Sequence, residues 1–189
     1  MKYILLLFLT FYFYAAIRYH IGKELGLTYF AFVLNKAITW TSATCLGLSI
    51  LKFNPPFPTK KTFGIGSFLL GSIHISLTML LTFSGFFPVY YNNKSISGEG
   101  FLVLITGGVT IILMIFPLLA SLFPTSYPKS WIKFGKLALF INILHPLIIG
   151  IKNWCSPGIW PLFLPPITLL AVLIHALILV IDWKQKRVL

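Results

Sequence analysis

The stretch Thr62 to Phe87, TFGIGSFLLGSIHISLTMLLTFSGFF, holds 26 residues without one Asp, Glu, Lys or Arg. A helix of that length exceeds the ~20 residues needed to cross the hydrocarbon core of a bilayer. Within it Gly64, Ser67, Gly71, His74 and Thr78 recur at spacings of 3, 4, 3 and 4, so they share one helical face. Small residues beside a histidine leave room for something flat. The same stripe also makes a helix-packing face, across which His74 would merely hydrogen-bond. A polar ring at that depth is costly in lipid, and intramembrane histidines are therefore the first place to look for function.

The rest of the chain repeats the pattern. Its 189 residues are 58% hydrophobic and 10% charged, with a mean hydropathy of +0.92, against roughly 25% charged residues in a soluble domain. Apolar runs occupy roughly residues 3–20, 29–51, 62–87, 101–123, 131–154 and 160–183. Pro55, Pro56 and Pro58, then Asn92, Asn93 and Gly98, then Pro124 and Pro128, then Pro157 and Gly158 separate the later runs. Trp131, Trp154, Trp160 and Trp183 fall at run ends, where an indole can sit among headgroups. The reading is an all-α integral membrane protein, a bundle of six transmembrane helices forming a single domain over residues 1–189. It leaves no space for a nucleotide-binding module. The short first run raises the alternative of a signal peptide; Arg18, His20 and Lys23 beyond it make no clean small-residue cleavage site, which favours a retained helix.

Fifteen Lys and Arg stand against Glu24, Glu99 and Asp182, a net charge of +12. The basic residues gather at run ends, which is how helices are anchored and oriented in membrane lipid, and no nucleic-acid partner is implied. With Lys36 set aside as lying inside the second run, one side of the membrane collects Lys2, Lys52, Lys60, Lys61, Lys129, Lys133, Lys136, Lys184, Lys186 and Arg187. The other has Arg18, Lys23, Lys94 and Lys152. This bias expects both termini in the cytoplasm. Cys45, in an apolar run, and Cys155, in a connection, have no C-x-x-C spacing and are expected to form neither a disulfide nor a metal site.

His145 lies nine residues beyond Lys136 and His74 twelve beyond Thr62, so the two parallel helices carry them at comparable depth near mid-membrane. Two such imidazoles suit bis-histidine ligation of a b-type haem, and neutral imidazole is cheaper to keep in lipid than a charged ligand. His175, seven residues before Asp182 on an antiparallel helix, is expected nearer the cytoplasmic face. It is a secondary candidate for a haem propionate, a quinone or a flavin, ranked behind a simple bond to a neighbouring helix. His20 is expected to be solvated. Lys36 is explained by snorkelling and Asn142 by interhelical hydrogen bonding, with a substrate or quinone contact as the weaker alternative for each. Lys60, Lys61, Lys133 and Lys136 suit anionic lipid first, haem propionates or an acidic partner second. There is no H-E-x-x-H, no hydrolytic triad motif and no phosphate-binding glycine loop.

The segment ITWTSATCLGLSILKFNPPFPTKKTFGIGSFLLGSIHISLTML resembles the second and third helices of the ferric-reductase-like transmembrane domain family, and within it the small haem-binding MsrQ (YedZ) type. The F-x-x-x-x-x-H element of that family falls on His74. The segment SYPKSWIKFGKLALFINILHPLIIGIKNW is similar to its fifth helix and aligns the ligating histidine with His145. The resemblance implies a cytochrome b in a bacterial inner membrane, with haem iron held by His74 and His145. It implies an electron-transfer oxidoreductase subunit fed by a separate donor and passing electrons to a periplasmic or membrane acceptor, in the MsrQ type a molybdenum enzyme that reduces oxidised methionine. Family members commonly carry another histidine near the start of that helix, and Trp131 to Leu137 has none, so one haem is expected and not two. Electrons would come from a reductase, a flavin or a quinol. The competing reading is a haem-free small membrane transporter or assembly factor, whose histidines only pack helices or bind substrate; a membrane-embedded transferase or hydrolase lacks the polar cluster it needs.

Overall fold

The computed structural model describes residues 1–20, 26–52, 59–83, 91–92 and 95–187. Glu24, Lys23, Pro55, Pro56, Pro58, Asn93, Lys94, the end of the third apolar run and the side chain of His20 lie outside what is described. The fold is helical: α1 (Lys2–His20), α2 (Leu27–Ile50), α3 (Lys60–Phe83), α4 (Gly98–Leu122), α5 (Phe134–Trp154) and α6 (Ile167–Arg187). A two-residue antiparallel hairpin, β1 (Tyr91–Asn92) with β2 (Ser95–Ile96), precedes α4.

Five segments are long and apolar enough to cross a membrane: Lys2–Tyr19, Lys60–Thr82, Gly98–Leu122, Lys129–Trp154 and Pro161–Gln185. The bundle is apolar outside as well as within. Leu5, Leu6, Phe13, Leu69, Met79, Leu80, Phe101, Ile112, Phe140 and Leu177 are exposed, while Asn35, Thr41, Ser67 and His175 are fully buried. Water would penalise so large an apolar surface; lipid does not. This is the arrangement of a multi-pass membrane protein.

The remaining helix, α2, is the hub. It packs against α1, α3, α5 and α6, and its Ala37, Trp40, Thr41, Cys45 and Leu46 are buried. A helix enclosed by other helices need not be apolar all round, and α2 spends its polar residues on its neighbours. Ser42 Oγ donates to the Ser67 carbonyl at 2.8 Å, and Ser67 Oγ donates back to the Ser42 carbonyl at 2.7 Å. These bonds replace contacts with water that the interior cannot supply. A Cβ at Gly71 would stand 3.2 Å from Ser42 Oγ, so the small-residue stripe of α3 is the seam on which α2 and α3 close. On the other side of α2, Phe11 of α1 stacks on Trp40 with centroids 4.1 Å apart.

Local chemistry sets the helix ends. Ser97 caps α4, accepting from Gly100 N at 2.9 Å, so α4 begins three residues before the apolar run that starts at residue 101. The run from residue 131 opens as a 3-10 turn (Lys129–Lys133), and the α-helix begins at Phe134. The sixth run reads as helical from residue 160; instead two 3-10 turns, Pro157–Ile159 and Pro161–Phe163, precede α6, which starts at Ile167. Pro161, Pro165 and Pro166 are the reason: each lacks an N–H, and each pushes its predecessor out of the helical region. Leu162 and Phe163 take φ of 49° and 57° to complete the turn. Arg18 of α1 donates to the Leu164 carbonyl and Tyr14 OH to that of Pro165 at 2.7 Å, tying this connection to α1. The indole N–H groups of Trp154 and Trp160 are taken by Thr168 Oγ1 and the Asn153 carbonyl, so these two tryptophans also brace the connection.

Gly150 shows how closely α5 and α6 approach. A Cβ there would collide with Thr168 Cβ at 2.7 Å. Gly150→Ala is therefore expected to destabilise the detergent-solubilised protein by about 1–3 kcal/mol, the usual cost of overpacking. Thermal unfolding measured alongside Gly108→Ala, where nothing lies within 4 Å, checks it.

Candidate functional site

Helices α2, α3, α4 and α5 close a ring: α2 and α4 each touch both α3 and α5, which places α3 and α5 across from one another. The four helices line a cavity of about 290 Å³, open on the side of the exposed Met79 and Leu104, and His74 of α3 and His145 of α5 are both in its lining. Its walls are mainly apolar, with Leu46, Ile75, Leu104, Ile111 and Met114, and are relieved by Gly71, Gly107 and Gly108. A Cβ at Gly107 would press to 3.4 Å from the His145 ring, and glycine there lets the imidazole lie against α4. Nothing lies within 4 Å of a Cβ built at Gly108, so that position opens onto free space.

Each histidine is oriented by hydrogen bonds at Nδ1, and each by a different neighbour. Asn35 Nδ2 of α2 donates to Thr78 Oγ1 at 3.0 Å, which turns Asn35 Oδ1 toward His74 Nδ1, 2.7 Å away. Thr39 Oγ1 donates to the Asn35 carbonyl at 2.7 Å, so its lone pairs face His74 Nδ1 at 2.6 Å. Both partners thus present acceptors, and the proton belongs on Nδ1. On α5, His145 Nδ1 lies 3.1 Å from the Val103 carbonyl of α4, which can only accept, and 3.3 Å from Thr106 Oγ1. In both rings the consequence is a lone pair on Nε2. Among the described residues neither Nε2 has a hydrogen-bond partner. Pro146 follows His145 and has no N–H for the Asn142 carbonyl, so α5 lacks one backbone bond at the turn carrying His145.

A smaller cavity of about 70 Å³ adjoins the first, sharing Thr39, Ala43, His74, Thr78, Asn142 and His145 with it. His175 and Lys36 line it too. His175 donates from Nε2 to the Ala43 carbonyl at 2.9 Å, the opposite ring nitrogen from the other two histidines. Its partner Ala43 sits one turn along α2 from Thr39, about 6 Å further toward the end of α2 that carries Ile50. Lys36 is part-buried, with its Nζ 5.1 Å from the Phe32 ring, and it also lines this cavity.

Of the other candidates, Lys136 is held by both carboxylate oxygens of Asp182, at 2.8 and 3.0 Å. Cys45 is buried beside Ile4 and Phe63, and Cys155 is exposed after α5; both are free thiols. Among the described residues no group of three or more His, Cys, Asp or Glu side chains converges, so the histidines come as a pair.

Fold and site define a helical membrane bundle with two imidazoles, each hydrogen-bonded at Nδ1, on one cavity. Comparison with protein-family models and with curated proteins finds no match to this chain.

Proposed function

We propose that this protein is a membrane b-type cytochrome of the ferric-reductase-like kind, in which His74 and His145 would hold the iron of one haem. The observation that carries the reading is the pair of Nε2 lone pairs, each fixed by its own Nδ1 bonds, on one glycine-relieved apolar cavity. Two neutral nitrogen donors on helices that face one another suit a flat macrocycle ligated from both sides. When bound, haem supplies one-electron transfer between ferric and ferrous iron.

The chain's own residues would do the rest. Asn35, Thr39 and the Val103 carbonyl hold the two imidazoles in the ligating tautomer and make them more basic donors. Leu46, Ile111 and Met114 keep water from the cavity. The membrane topology belonging to this reading has α2 as a sixth span and both termini in the cytoplasm, following the lysine bias. In this reading electrons enter from a donor outside the helical bundle and leave to a periplasmic or membrane acceptor.

An oxidised-minus-reduced optical spectrum of the detergent-purified protein tests the proposal. The expected result is a b-type spectrum at about one haem per chain. Protein free of haem after expression with ample haem supply would overturn it in favour of a transporter or assembly factor.

A further inference from the structure

The walls of the histidine cavity are unequal. On one side α6 packs across α2 and α5, and its Thr168, Ala171 and His175 line the smaller cavity there. On the opposite side the wall is the joint of α3 with α4, which is apolar: a Cβ at Gly71 would lie 3.6 Å from Ile111 Cδ1. Polar bonds tie α2 to α3 through Ser42 and Ser67, and α5 to α4 through His145 and the Val103 carbonyl.

The cavity opens along that apolar joint. Met79 of α3 and Leu104 of α4 belong to its lining and are 58% and 51% exposed. Gly107 and Gly108 follow Leu104 by one turn, and a Cβ at Gly108 would have nothing within 4 Å. Gly108 lies about 15 Å along α4 from Gly98, in a helix of 25 residues, so the opening sits well inside the span. Phe101, Ile105, Val109 and Ile112, exposed on the same helix, are all apolar. A mouth at that depth, with such a rim, meets acyl chains and not water.

We propose that the cavity takes its ligand sideways from the bilayer, through a portal between α3 and α4 whose threshold is Gly108. The guest it admits is a lipid-dissolved molecule with a flat apolar body; naming that guest as haem rests on the function proposed above. Parting α3 from α4 exchanges apolar contacts for contacts with lipid. Parting either bonded pair would instead leave buried polar groups without partners.

Haem uptake by protein purified free of haem and reconstituted in phosphatidylcholine liposomes tests the route. Haemin is supplied in donor liposomes, and growth of a b-type spectrum is the readout. Gly108→Leu has room for its side chain and should slow uptake at least about tenfold, and slow loss of haem to empty liposomes by the same factor, because a narrowed portal is crossed in both directions. Ile112→Phe, exposed on α4 but outside the cavity lining, should match the wild type. In Met79→Cys/Leu104→Cys/Cys155→Ser, a cleavable apolar bismaleimide should exclude haem when applied before loading and retain it when applied after, with cleavage of the linker reversing both. Wild-type rates in Gly108→Leu, slower uptake with unchanged or faster loss, or free passage of haem in the crosslinked protein would overturn the portal and leave the haem reading standing. Wild-type protein that takes up no haem would overturn the haem reading, and the portal as a route for haem falls with it.

Discussion

His74→Ala and His145→Ala should each yield a folded protein with haem affinity reduced at least about a hundredfold, because loss of a partner one shell further out already costs about 10–100-fold. The structure gives reason to expect folding to survive. Each imidazole lines a cavity, so its removal enlarges existing space; His74→Ala gives up the bonds of His74 to Asn35 and Thr39 across the α2–α3 seam, but the reciprocal bonds of Ser42 and Ser67 stay. The acceptors left behind, Asn35 Oδ1 and the Val103 carbonyl, lose one partner each, at about 1–3 kcal/mol apiece if no water replaces it. The informative control is His175→Phe. His175 is as buried as any residue in the chain, but its Nε2 is spent on the Ala43 carbonyl. Haem content per folded chain should be unchanged in that variant. Haem counted against protein in the folded fraction checks all three. Full haem content in both His74→Ala and His145→Ala would remove the ligand assignment, and loss in His175→Phe alone would transfer it.

The limits of the helices were legible in the sequence wherever lipid does the selecting. Leu, Ile and Phe must cover any helix that faces hydrocarbon, and α1, α3, α4 and α5 lie within a few residues of their apolar runs. Legibility fails where the chain answers to itself. Residues 160–166 are as apolar as a span, but prolines spend them on a 3-10 turn at Pro161–Phe163 and the non-helical link that follows it. Within the site, equal depth on parallel helices brings His74 and His145 together from spacing alone. Their orienting partners are harder to find. Val103 acts through its carbonyl, which no side-chain pattern reports. Asn35 did leave a signal, a polar residue one turn before Thr39 in an apolar helix, but beside Lys36 it reads as part of a weakly polar patch. For Lys36, sequence gives its place inside an apolar helix and not the cavity that it lines.

Asn35→Leu separates a haem-positioning network from ordinary helix packing. Leucine is close to asparagine in size and fits a buried site between α2 and α3 but carries no acceptor, so His74 Nδ1 keeps only Thr39 and Thr78 near it. Thr78 also loses the amide that donated to it. Without Oδ1 the proton on Nδ1 is less firmly held, the ring is freer to turn, and Nε2 spends less time as an aligned donor. Haem affinity should fall by about 10–100-fold. On the proposed reading Asn35→Leu should also bind carbon monoxide, where the wild-type protein should not. Packing alone predicts otherwise: a lower unfolding temperature, with affinity and carbon monoxide inertness of the folded fraction unchanged. Asn35→Asp supplies the complementary case, since a carboxylate keeps the acceptor toward His74 and cannot donate to Thr78. If Asn35 works by orienting the imidazole, Asn35→Asp retains haem where Asn35→Leu loses it. If the two variants lose haem equally, the bond from Asn35 to Thr78 matters more than the one to His74, and the positioning role falls.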